Sequence, residues 1–113
     1  MRTATGKIQD DGLKIVERFK NLMLERDVPV YKTIMFGSRA RGDADPESDL
    51  DVLVIVETLN SMLRKTISHC AWEAGFEAGI VIQSVVMTRD QVENGPEQSS
   101  LLMLAVEEEG APV

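Results

Sequence analysis

The chain has one cysteine, Cys70, and one histidine, His69. A lone cysteine has no partner for an internal disulfide, which suits a reducing compartment. A lone histidine with no cysteine cluster around it excludes an ordinary zinc centre. Long hydrophobic runs are also missing. The longest, Val52 to Val56, is the length of a strand and far short of the roughly 20 residues that cross a bilayer. Met1 to Asp10 is polar and has no apolar h-region, so no secretory signal is expected. There is no internal repeat and no low-complexity segment. These absences predict a cytoplasmic protein with no membrane association. Positive charge is scarce too: 12 Lys and Arg stand against 19 Asp and Glu, a net charge of -7. An acidic surface repels a phosphate backbone, so direct nucleic-acid binding is not expected. Arg39 and Arg41 make a local basic spot, which suits a small phosphorylated ligand better than a long polyanion.

The 113 residues suit one domain, 1–113, with residues 1–6 frayed. From Lys7 to Arg26 apolar residues recur at helical spacing: Ile8, Leu13, Ile15, Val16, Phe19, Leu22 and Met23. Gly12 weakens that helix, which starts either near Lys7 or only after the glycine. Asp27 and Pro29 end it. Val30 to Phe36 reads as a strand that stops at Gly37. Ser38 to Arg41 reads as a short helix or turn, and Gly42 to Ser48 as a loop. Asp49 to Glu57 is the clearest strand. Asn60 to Ala78 is a second helix, with Met62, Leu63, Ile67, Cys70, Ala71 and Ala74 on one face. Ile80 to Thr88 is a third strand, Arg89 to Asn94 a helical turn, and Glu97 to Glu109 a last helix. That last helix has Leu101, Leu102, Leu104, Ala105 and Val106 as apolar anchors. The order predicts an α/β (α+β) domain, a small mixed sheet flanked by helices.

Two short segments carry candidate chemistry. In Met35-Phe36-Gly37-Ser38-Arg39-Ala40-Arg41-Gly42 a strand runs into a Gly-Ser turn and then a helix start. Gly37 allows a sharp turn and close approach of a ligand. Amide N–H groups at a helix start attract anions, the Ser38 hydroxyl adds a donor, and Arg39 or Arg41 adds charge. In Ser48-Asp49-Leu50-Asp51 the strand period of two puts Asp49 and Asp51 on one face. Two carboxylates that converge repel each other, and a divalent cation removes the penalty. Mg²⁺ is held in this way by one or two carboxylates with substrate phosphate oxygens. Each segment alone has an ordinary reading, a surface turn and a solvated strand end. Ten residues, Arg39 to Ser48, separate them, so adjacent strands deliver a phosphate turn and an acid pair side by side.

Gly-Ser, ten residues, Asp-x-Asp resembles the signature of the DNA polymerase β-like nucleotidyltransferases. The short chain resembles their minimal branch, often the antitoxin beside a HEPN-domain ribonuclease toxin. The match covers about Val30 to Val56. The resemblance implies the nucleotidyltransferase fold. It also implies nucleotide binding at Gly37, Ser38, Arg39 and Arg41, and Mg²⁺ held by catalytic Asp49 and Asp51. ATP or another NTP would be the substrate and a HEPN toxin the protein acceptor, in a hetero-oligomer. A catalytically degenerate antitoxin that acts by binding alone is the alternative. One departure bears on this choice. Many active members carry a third carboxylate on the later strand, and here the equivalent position is Gln83, which cannot take a proton. Glu77 and Asp90 are candidates to replace it. His69, Trp72 and the methionines read as helix surface, core or partner contacts.

Overall fold

A computed structural model describes residues 4–37, 49–95, 103–104, 106–107 and 110–113, with side chains from residue 12 onward. Helix α1 spans Ala4–Glu25. It therefore begins before Lys7 and includes Ala4 to Gly6, which the sequence placed in a frayed terminus. It also passes through Gly12 without a break. Glycine inside a helix costs about 1 kcal/mol. The stripe that follows outweighs it: Val16, Phe19, Leu22 and Met23 are all buried, and each contributes about 1.5–3 kcal/mol. The chain leaves α1 through Asp27, at φ +62°, a left-handed conformation that Asp tolerates better than most residues.

Strand β1 is Val30–Phe36 and β2 is Leu50–Val56. They pair antiparallel, from Val30↔Val56 to Phe36↔Asp51, with a bulge between Val30 and Lys32. Helix α2, Ser61–Ala78, carries the chain across to β3, Ile82–Thr88, which lies parallel to β2. A parallel neighbour needs such a crossover. The Asn60 side chain starts α2 by accepting from the Leu63 N–H at 2.8 Å. Helix α3, Arg89–Asn94, follows β3 directly, opened by a capping box between Thr88 and Gln91. A last strand, β4, is Ala111–Pro112 and pairs with Met35 and Ile34 of β1. The sheet order is β3-β2-β1-β4. This is the mixed sheet with flanking helices expected from the sequence.

Alternation along β2 divides the core in two. Leu50, Val52, Val54 and Val56 join Val16, Phe19 and Met23 of α1 and Ile67, Cys70 and Ala74 of α2. Leu53 and Ile55 point the other way, toward Met103 and Val106, which are helical, and toward Ile34, Val85 and Met87. The strand is buried on both faces, which explains its unbroken Val/Leu/Ile run.

Some expectations need correction. β3 starts at Ile82, not Ile80, because Gly79 turns left-handed (φ +75°) and the Ile80 N–H bonds back to the Gly75 carbonyl. Met62, assigned to the buried face of α2, is 75% exposed: in the first turn it faces away from the stripe formed by Ile67, Cys70 and Ala74. Leu104 is 48% exposed, and Met103 takes its place in the core. The two-residue β4 was not anticipated, since a Pro-containing pair has no strand pattern to read. Leu101, Leu102 and Ala105 lie outside the described residues.

Candidate functional site

The register brings three stretches together at one end of the sheet. Phe36, the last residue of β1, faces Asp51, and Asp51 faces Gln83 in β3. Gly37, Asp49, Asp51 and Gln83 therefore gather where β1 ends and where β2 and β3 begin. Ser38, Arg39 and Arg41, the other residues expected to bind a nucleotide, lie outside the described residues.

Gly37 has φ +82°, and a Cβ built there would collide with Asp51 Oδ2. Any other residue would meet both a strained backbone and the carboxylate. The absent side chain leaves the Asp51 oxygen uncovered on that side. Asp51 is half-buried, and its carboxyl is raised above the ordinary aspartate range, first by burial and then by the charge of Asp49. Gln83 Nε2 donates a 2.7 Å hydrogen bond to Asp49 Oδ2. The sequence marked Gln83 as a missing carboxylate. Its amide proves to be joined to one of the pair. Among the described residues, no third Asp, Glu, His or Cys completes a cluster with Asp49 and Asp51.

A hard divalent cation fits this arrangement. The donors are carboxylate oxygens, the kind Mg²⁺ prefers. Among the described residues Asp51 faces the like charge of Asp49 and no cationic partner, so a bound cation would relieve it. The proposed replacements for a third acid do not join the pair. Glu77 is bonded to Arg18 at 3.2 Å. Asp90 accepts from Asn94 Nδ2 in α3, at the far end of β3 from Gln83. At about 3.3 Å per residue, five residues of strand separate Gln83 from Thr88 by roughly 17 Å.

A cavity of about 620 Å³ lies between α2 and the start of β3, and Asp49 is among its lining residues. Its other walls include Trp72, Gly75, Phe76, Val81 and Ser84. Trp72 and Phe76 stack with centroids 5.0 Å apart, yet they are 61% and 70% exposed. Helical spacing at i and i+4 shows that they share a face. It does not reveal that the face opens beside an acid pair from another element. Cys70 is buried, as expected, and His69 sits on the surface near Arg26 and Glu73.

A mixed sheet that delivers a glycine turn and an acid pair from adjacent antiparallel strands is the frame of a nucleotidyl-transferring domain. The nucleotidyltransferase domain model matches residues 16–103, and the chain belongs to that family. A Methanocaldococcus jannaschii protein, whose name places it among protein adenylyltransferases, is 35% identical over 71 residues. That match covers 56% of this chain and 72% of the relative. Two solved structures share the fold. One is a Sulfolobus solfataricus protein named as a nucleotidyltransferase (TM-score 0.59, 20% identity, covering 80% of this chain and 79% of the other). The second is a toxin–antitoxin structure with AMP-PNP (TM-score 0.58, 18% identity, covering 85% and 69%).

Proposed function

We propose that this chain is a Mg²⁺-dependent nucleotidyltransferase that moves a nucleotide from ATP, or another NTP, to a partner protein. The partner would be a toxin of the HEPN type, with this chain as its cytoplasmic antitoxin in a hetero-oligomer. The observation that carries the reading is the convergence of Gly37, Asp49 and Asp51 at one end of the sheet. The adenylyltransferase name of a relative and the toxin–antitoxin assembly of a structural neighbour support the acceptor class.

Asp49 and Asp51 would hold Mg²⁺, which when bound offsets charge on the phosphoryl group being transferred. Gly37 keeps the chain clear of Asp51, so that a triphosphate can lie along the turn. Ser38, Arg39 and Arg41 would bind its oxygens. The acceptor hydroxyl forms a bond to the α-phosphorus and gives its proton to solvent water, and the bond to the departing pyrophosphate breaks. Gln83 has no site for the acceptor's proton. That feature favours a second reading, an antitoxin that neutralises its partner by contact alone.

The test is incubation with labelled ATP, Mg²⁺ and the product of the neighbouring gene. Label on that protein, lost in Asp49→Ala and Asp51→Ala, supports transfer. A partner that is bound and silenced without label supports the second reading and rejects the first.

A further inference from the structure

We propose that Gln83 is a positioning residue that sets both the orientation of Asp49 and the number of cations the site accepts. This rests on the reading of Asp49 and Asp51 as the metal-holding pair.

Gln83 stands directly beside Asp51 in the β2–β3 register, one strand away. Its side chain does not engage Asp51. It reaches across to donate to Asp49 Oδ2 at 2.7 Å. Asp49 precedes the first residue of β2 and its side chain is exposed. Among the described residues, the Gln83 amide is the side chain that hydrogen-bonds Asp49 and fixes its orientation. It occupies one oxygen of Asp49 and leaves the other oxygen and the Asp51 carboxylate for a cation. Partners of this kind, one bond behind a ligand, commonly change metal affinity by about 10–100-fold when removed.

The second consequence concerns charge. A carboxylate at position 83 would face Asp49 at hydrogen-bond distance and lie next to Asp51. Three negative groups would then share one end of a small sheet, a set that repels itself without metal and can hold two cations. An amide of nearly the same shape supplies a donor instead and leaves two charges. Two carboxylates fit one divalent ion. Gln83 thereby makes a site that is tolerable when empty and takes a single cation.

Mn²⁺ binding to the full chain, followed by calorimetry and by electron paramagnetic resonance with and without a non-hydrolysable ATP analogue, tests this. Gln83→Met keeps length and removes the donor. Gln83→Glu keeps shape and adds charge. The parent should bind one Mn²⁺ per chain. Q83M should bind it at least about tenfold more weakly with an unchanged Tm, since Gln83 is exposed. Q83E should show a lower Tm without metal, recovered on adding Mn²⁺, and tighter binding or a second ion. Parent-like affinity in Q83M, or one ion at parent-like affinity in Q83E, overturns the proposal. A parent that binds no Mn²⁺ under either condition overturns the metal reading of Asp49 and Asp51 instead.

Discussion

The two faces of the sheet are built to different ends. One is closed by α1 and α2 over Phe19, Met23, Leu50, Val52, Val54, Val56 and Ile67, all essentially without solvent contact. The other carries, among the described residues, a set around Leu53, Ile55, Met103 and Val106, and the strand face that carries these continues into Asp51. A single strand serves both: its even residues fill the closed face and its odd residues the other. Among the described residues, the buried side chains under α1 and α2 carry the first face. Candidate chemistry stands where cover stops, at the ends of strands that Gly37 and Asp49 interrupt. A site that needs two neighbouring carboxylates costs stability, and the closed face supplies the surplus that tolerates it.

The contrast can be broken from either side. The largest effect is expected in the candidate site. Asp49→Ala or Asp51→Ala should lower labelled-nucleotide transfer by about 10³-fold or more, roughly 4 kcal/mol of barrier, with little loss of fold by circular dichroism. On the closed face Phe19→Ala should cost about 3–5 kcal/mol in urea unfolding. Val106→Ala on the other face should cost only about 1–2.5 kcal/mol. Equal losses would show that the two faces share the load. Gly37→Ala should cost about 1–3 kcal/mol, through φ +82° and the displaced Asp51, and should abolish Mn²⁺ binding.

A smaller effect has the opposite sign. Folding raises the Asp51 carboxyl, so its contribution favours the folded state in acid and is lost as pH rises through the folded value. Asp51→Asn removes the buried charge. In metal-free buffer at pH 7 the variant should melt above the parent. The gap should close as pH falls below 3.8, where aspartate is protonated in both states. A lower Tm for Asp51→Asn at pH 7 would contradict the strain assigned to this carboxylate. Smallest of all, Glu77→Gln should leave both Tm and transfer unchanged, since among the described residues it loses an exposed ion pair to Arg18.

The residues that announced the fold were those with a period. Val16, Phe19 and Leu22 mark the buried stripe of α1, and Val52 to Val56 reads as a strand from its length and β-branched content; its burial on both faces is seen only in the structure. Asp49 and Asp51 were legible because a strand places alternate residues together, and Gly37 because few other residues turn a strand so sharply. Harder to read was whatever depends on neighbours from another element. Gln83 looked like a lost acid because nothing in its own segment shows Asp49 across the sheet. Met62 and Leu104 fit an apolar stripe on paper, but the partner surfaces end before reaching them. Trp72 was open between core and surface, since spacing gives a face without saying what covers it.

The stacked pair on α2 also gives the chain an optical property. Trp72 is its one tryptophan, so the ultraviolet emission above about 320 nm comes from a single indole. That indole is already wet in the folded state. Unfolding will change its surroundings little, and tryptophan fluorescence will therefore report poorly on denaturation. It lines a cavity shared with Asp49, so displacement of water from that cavity should shift its emission to shorter wavelength while the fold stays intact. The protein thus carries its own dye for occupancy, and far-ultraviolet dichroism is the better gauge of whether it is folded.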